Sequence, residues 1–198
     1  MTHVVLIRPG STVYDEQNRV QGSLDLPLSD LGRAEVAQLA DRLGSLEQIQ
    51  LSALYSGPSQ SAWRTAESIG RVVGLRPKRI DEFRNLDQGL WQGLLVEEIR
   101  RRHQRVFRQW MDDPFAICPP QGEASEDALE RVLNALRPII RRHRDEEIGL
   151  VACEPIAQLI GAQLRGSSRV ALDDAIPAAG FERIAVAPDW GRNGDPHA

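Results

Sequence analysis

Apolar residues in this chain fall into short runs separated by stretches where they recur every three or four positions. HVVLI at 3–7 reads as a buried strand, and so do LSALYS at 51–56, IGLVAC at 148–153 and FERIAVA at 181–187. KRI at 78–80 or RVAL at 169–172 can add edge segments. Between the first two strands the spacing predicts a helix capped by Ser29, with Val36, Leu39, Ala40 and Leu43 on one face and Gly44 near its end. A second helix from Ser59 to Val73 carries Ala62, Ala66, Ile69 and Val73 as its stripe, with Gly74 as a stop. A third runs from Val96 into Trp110. A fourth starts at Ser125 and turns Leu129, Val132, Leu133, Leu136 and Ile140 inward, with Pro138 expected to kink or tighten its last turns. A fifth begins with Pro155 at a first helical position and continues through Ile156, Leu159, Ile160 and Leu164.

Strands joined by helical crossovers imply an α/β fold: a three-layer α-β-α sandwich around a mostly parallel sheet. In such sheets the loops at the carboxyl ends of the strands build the site. Attention therefore falls on Arg8 to Thr12, Ser56 to Ser61 and Cys153 to Pro155. The stretch DDPFAICPPQG at 112–122 holds three prolines and is expected to form an ordered loop or a lid over those strand ends. With 198 residues and no internal repeat, a single domain over 1–198 is expected.

Composition narrows the function classes. The formal charge of −4 gives no reason to expect nucleic-acid binding, and no apolar run approaches the 18 or so residues a membrane span needs. The start, MTHVVLIRPG, has neither the basic segment nor the long apolar stretch of a secretory signal, so a cytoplasmic location is expected. Cys118 and Cys153 make no disulfide framework. None of His3, His103, His143 and His197 has a neighbour at metal-ligand spacing, so neither metal nor cofactor is expected, and surface or edge packing is the expected role of these histidines. The run Arg100, Arg101, Arg102, His103, Arg105, Arg108 reads as a solvated helical face paired with Glu97 and Glu98.

Several side chains can carry chemistry. Arg8 precedes Gly10, Ser11 and Thr12 and can hold an anion with the loop amides and hydroxyls, or pair internally with a carboxylate or loop carbonyls. Cys153 lies near a helix start that lowers a thiol's pKa, while the adjacent Glu154 opposes a thiolate; a small buried thiol is the competing reading. Glu123 either faces the cleft or caps the fourth helix. Trp91, in GLWQG, either packs against the cleft wall or meets a ligand.

Read in order, these fragments resemble the histidine phosphatase superfamily, the phosphoglycerate-mutase-like fold. LIRPGST is similar to its first strand and arginine-histidine-glycine loop, and RVQGSLDLPLSDLGRAEVAQL to the segment that follows. LYSGPSQSAWRTAESI resembles the second strand and its helix, FRNLDQGLWQG the glycine-tryptophan-glycine stretch, PPQGEA the glycine-glutamate turn and GLVACEP the last strand with its second histidine loop. The resemblance implies a histidine that is transiently phosphorylated, a second histidine, two arginines and commonly an asparagine on the phosphoryl oxygens, and a carboxylate that moves a proton. By position Arg8 keeps the first arginine, and Pro9 stands at the nucleophile. Ser61 stands at the second arginine, Asn85 at the proton-transfer glutamate, Asp15 at the pocket asparagine and Cys153 at the second histidine.

Losing one oxyanion contact costs about 3 kcal/mol, or roughly 100-fold to 1000-fold in rate, and here the nucleophile differs as well. The expectation is therefore a catalytically inactive relative, not a phosphatase or mutase, kept for a protein partner or a homodimer. Two alternatives stand beside it. One is a module for a small anionic ligand, with Arg8, Ser11, Ser61, Arg64, Asn85 and Glu123 as the contacts. The other is an enzyme of changed chemistry, with Cys153 as nucleophile or Glu154 and Asp15 as acid and base.

Overall fold

In the computed structural model, which describes residues 1–112, 117–167 and 175–191, the apolar runs assemble into one five-stranded sheet. In chain order the elements are β1 (His3–Ile7), α1 (Val13–Glu16), α2 (Asp30–Ser45), β2 (Ala53–Ser56), α3 (Gln60–Val73), β3 (Lys78–Arg79), α4 (Val96–Arg102), α5 (Gln104–Asp112), α6 (Ser125–Arg142), β4 (Glu147–Val151), α7 (Ile156–Arg165) and β5 (Phe181–Ala185). The sheet order is β3-β2-β4-β1-β5. β1, β2, β3 and β4 pair in parallel, and β5 closes the edge antiparallel to β1, with Ile7 opposite Phe181.

Strand alternation divides the core into two layers. Val4, Leu6, Ala53, Tyr55, Ile148 and Leu150 pack under α6 and α7, with Leu136, Ile140, Ile156 and Ile160. Val5, Ile7, Leu54 and Val151 pack on the opposite face against α2 and α3, with Leu39, Leu43, Ala66 and Ile69. This is the expected three-layer sandwich. A third, smaller cluster lies apart from both, where Val20, Trp91 and Ile99 gather Val106, Phe107, Trp110 and Ile117.

Helix ends follow their chemistry. Ser29 and Ser59 cap α2 and α3 through their hydroxyls, and Gly74 ends α3 in the left-handed conformation. Pro155 sits at the cap of α7 rather than inside its first turn, and α6 runs past Pro138 to Arg142.

Four expectations need correction. The helix expected over 96–110 is broken at His103, because the six polar residues from Arg100 to Arg105 offer no apolar side chain to hold that turn against the core. The strand expected to reach Cys153 ends at Val151, which leaves Cys153 in the loop above the sheet. His143 is buried rather than peripheral: its Nε2 lies 2.8 Å from the Tyr55 hydroxyl and its Nδ1 2.6 Å from Glu146. Glu123 neither caps α6 nor faces the cleft. It is bound by Arg131 on α6 at 2.6 and 2.7 Å, and Arg84 adds a third contact at 3.2 Å.

The 169–172 segment and His197 lie outside the described residues, as does 113–116 within the expected lid. Of that lid, Pro119 to Glu123 is pinned to the Asp87–Leu90 turn: Leu90 N–H donates to the Pro120 carbonyl, and Glu123 N–H to that of Asp87. Among the described residues no helix is long and apolar enough to cross a membrane.

Candidate active site

At the carboxyl end of β1 the chain turns sharply over the N-terminus of α2. Ser11 carbonyl accepts both the Ser29 N–H and the Ser29 hydroxyl. The two segments touch so closely that a Cβ on Gly32 would lie 1.9 Å from that carbonyl oxygen, and one on Gly10 would lie 2.4 Å from the Gly32 carbonyl. Backbone meets backbone here, so neither side can yield cheaply. A Gly32→Ala protein is expected to lose about 1–3 kcal/mol and to displace the Arg8 loop; a urea melt reads the loss, and an unchanged midpoint would show that the loop adapts.

The loop feeds a cleft of ≈ 270 Å³ whose lining includes Arg8, Pro9, Asp15, Ser61, Cys153 and Glu154. Arg8 donates through Nη1 to the Ile176 carbonyl at 3.0 Å and through Nη2 to Asp15 at 2.9 Å. It is thus paired with a carboxylate and a loop carbonyl while still lining the cleft. The other Asp15 oxygen accepts from the Thr12 N–H and hydroxyl, both at 2.7 Å. Asp15 is therefore engaged in a cap and an ion pair.

Cys153 faces the start of α3: its Sγ lies 3.3 Å from the Ser59 hydroxyl and 3.8 Å from that of Ser61. Burial pushes its thiol pKa up, with the two serine hydroxyls acting in the opposite direction. A neutral thiol is a weak nucleophile. Next to it, burial pushes the Glu154 carboxyl up to about 7, against the opposing charge of Arg8 and hydrogen bonds from two backbone amides. Those amides are Gln158 N–H at 3.1 Å and Ile176 N–H at 3.2 Å. Glu154 thus changes charge near neutrality inside the cleft.

Three expected ligand contacts are placed elsewhere. Ser11 turns away, its N–H and hydroxyl both bound to Glu35 at 2.8 and 3.1 Å. Arg64, three residues beyond Ser61, projects to the surface and pairs with Glu67 at 2.8 Å. Glu123 is held by Arg131, as above. Asn85 lines an adjoining recess with Gln21, Gly22 and Ser59, where its Nδ2 ties the Gly22 and Glu154 carbonyls together at 2.9 and 2.7 Å. It positions the Glu154 backbone from outside the cleft.

The structure adds cleft residues that sequence reading missed: Arg19, Gln21, Gln88, Trp110 and Gln158. Arg19 brings a second positive charge, steadied by the Gly93 carbonyl at 2.6 Å and Gln17 at 2.8 Å. Gln158 had a usable signal, since it lies four residues after Glu154 at the start of a helix.

A model of the Histidine phosphatase superfamily (branch 1) matches residues 4–181. The chain belongs to that superfamily. It is 28% identical over 152 residues to a protein of Hydrogenobacter thermophilus named phosphoserine phosphatase 1, covering 77% of this chain and 71% of that one. It is 31% identical over 170 residues to the bifunctional protein Rv2228c of Mycobacterium tuberculosis; this match covers 85% of the chain and 46% of that longer protein. Among solved structures, a mycobacterial glucosyl-3-phosphoglycerate phosphatase complexed with VO3 superposes with a TM-score of 0.83 at 25% identity, covering 95% and 93% of the two chains.

These relatives overturn the expectation of an inactive, non-enzymatic chain, because proteins similar over most of its length are named phosphatases. That expectation rested on Pro9, Ser61, Asn85, Asp15 and Cys153 standing at the family's functional positions, and it took their replacement to mean that no site remains. Pro9 closes one route to phosphorus, but the superfamily cleft, Arg8 and an ionisable carboxyl are all in place.

Proposed function

We propose that the chain hydrolyses phosphate monoesters in this cleft, with water as the attacking group and Glu154 as general acid. Pro9 and Cys153 are read as standing at the two histidine positions, and no histidine lines the cleft among the described residues. The observation that carries the reading is the buried Glu154 carboxyl, with a pKa of about 7, in a superfamily cleft shared with Arg8 and Arg19.

Phosphate monoesters react through a loose transition state in which the P–O bond to the leaving group is largely broken before the new bond forms. Such a reaction gains most from protonating the departing oxygen and from positive charge on the phosphoryl oxygens. Protonated Glu154 gives its proton to the leaving alkoxide as that bond breaks. Water adds to phosphorus, and the proton it sheds restores the Glu154 carboxyl, so an ester and water become an alcohol and inorganic phosphate. Arg8 and Arg19 face the dianion. In its protonated form Glu154 also removes the negative charge that would repel the substrate.

The test is release of inorganic phosphate from phosphoserine and phosphoglycerate by the wild-type protein across pH 5 to 9. The acid form is lost as pH rises through about 7, so turnover is expected to fall on the alkaline side. Glu154→Gln is expected to lower the rate about 100-fold to 10,000-fold and to abolish that limb. No turnover above a heat-inactivated control, or an unaltered rate in the variant, rejects the reading.

A further inference from the structure

Arg8 does not face the cleft alone. Its Nη2 donates to Asp15 Oδ1 at 2.9 Å; both side chains line the cleft, and they keep exposures of 24% and 29%. The other Asp15 oxygen is held by the Thr12 N–H and hydroxyl, and the Thr12 hydroxyl accepts the Asp15 N–H in return. Those reciprocal bonds keep the carboxylate from turning away when another anion reaches Arg8. Two of the guanidinium's five N–H groups meet Asp15 and the Ile176 carbonyl, which leaves donors for a ligand. A phosphoryl group at Arg8 therefore binds beside a fixed negative charge.

The residue type sharpens this. The superfamily resemblance places an asparagine at position 15, and an amide can donate to a phosphoryl oxygen where a carboxylate only accepts. Aspartate thus does more than remove a contact: it sets a like charge against the ligand. Among the described residues, the charged groups lining the cleft are Arg8 and Arg19 on one side of the balance and Asp15 and Glu154 on the other.

We infer that Asp15 is an internal counter-anion that sets the charge preference of the cleft, weakening every anion at Arg8 and doubly charged phosphoryl groups most. Coulomb energy is linear in ligand charge, so the effect doubles in the logarithm from a monoanion to a dianion. In a partly solvated cleft, at a separation of about 5–6 Å, each ligand charge is worth roughly 10-fold in affinity. This role rests on the phosphate-monoester reading in one respect, that the cleft takes a phosphoryl group, and it is independent of turnover. For hydrolysis it means that inorganic phosphate, which carries more negative charge than a diester, is released readily.

The test compares methyl phosphate with dimethyl phosphate at pH 8, where the first is a dianion, its second pKa being roughly 6, and the second a monoanion. Calorimetric affinities are measured for the wild type and for Asp15→Asn, with phosphate release from methyl phosphate followed in parallel. In the wild type the lining charges nearly cancel, so the two anions are expected to bind within about 10-fold of each other. The variant is expected to bind dimethyl phosphate about 10-fold and methyl phosphate about 100-fold more tightly than the wild type does. Equal gains for the two anions, no gain, or a wild-type preference for the dianion well above 10-fold overturns the inference. Asparagine keeps an oxygen for the Thr12 amide, and the wild-type comparison needs no variant, so misfolding of the substituted protein cannot rescue it. The stated gains without phosphate release would remove the hydrolytic reading and leave the role of Asp15 standing. Phosphate release with unaltered affinities in the variant would do the reverse.

Discussion

Replacing Arg131 with leucine is expected to cost about 3–5 kcal/mol, the penalty for stranding a buried charge. Arg131 and Glu123 are a nearly enclosed pair, with side-chain exposures of 10% and 11%. The guanidinium also donates to the carbonyls of Glu82, Arg84 and Asn85. One side chain of α6 thus satisfies three carbonyls of the loop that presents Asn85, and Asn85 in turn ties down the backbone of Glu154. Burial alone would raise the Glu123 pKa, but the hydrogen bond and charge of Arg131, with Arg84 behind it, leave it below the ordinary value. A thermal melt at pH 7 is expected to fall by about 10 °C, taking roughly 2–4 °C per kcal/mol for a chain of this size. Glu123→Gln should cost less, since Arg131 keeps its carbonyl partners and gains a neutral acceptor. Equal losses in the two variants would mean that the ion pair, rather than the carbonyl clamp, dominates.

That clamp also marks the limit of what the chain discloses before it folds. The α2 and α3 faces, the buried strands and the Ser29, Ser59 and Gly74 helix ends are legible because each depends on residues within a few positions of one another. The partners of Ser11 and Glu123 are 24 and 8 residues away. Nothing in a local pattern says that a serine beside Arg8 will turn to Glu35. The break at His103 was hidden for a related reason: periodicity records where a helix can bury a face, and it says little about a charged turn that buries none.

Within the cleft, Arg8, Ser61, Cys153 and Glu154 were legible from their place at strand ends, and the structure brings these four together. Gln88, Trp110 and Arg19 were not: Trp110 packs on the separate cluster of Val20, Trp91 and Ile99, and Arg19 and Gln88 reach the cleft from the segments that carry Val20 and Trp91, far in sequence from the strand ends. The familiar positions therefore describe one part of the site. Arg19, Gln88 and Trp110 had to come from the fold.

The second large effect is a pH-dependent gain in stability for Glu154→Gln. In the folded chain the Glu154 carboxyl titrates at about 7, raised from 4.5 chiefly by burial. A raised acid favours folding in its protonated form: the contribution is fully present below about pH 4.5 and is lost as pH climbs through about 7. At 1.36 kcal/mol per unit, the loss approaches about 3 kcal/mol by pH 8. Glutamine cannot ionise, so the variant is expected to lie within about 1 kcal/mol of the wild type near pH 5 and to exceed it at pH 8 by about 6–12 °C in midpoint. Both proteins should still lose stability toward acid below pH 4.5, where protonation of Glu123, whose pKa is lowered, weakens its hold on Arg131. The wild type alone is expected to show the additional loss on the alkaline side. Melts of the two proteins at pH 5 and pH 8 read the difference directly. Parallel curves at both values would show that Glu154 is hydrated and ionised in the folded cleft, which would also deprive the proposed hydrolysis of its acid.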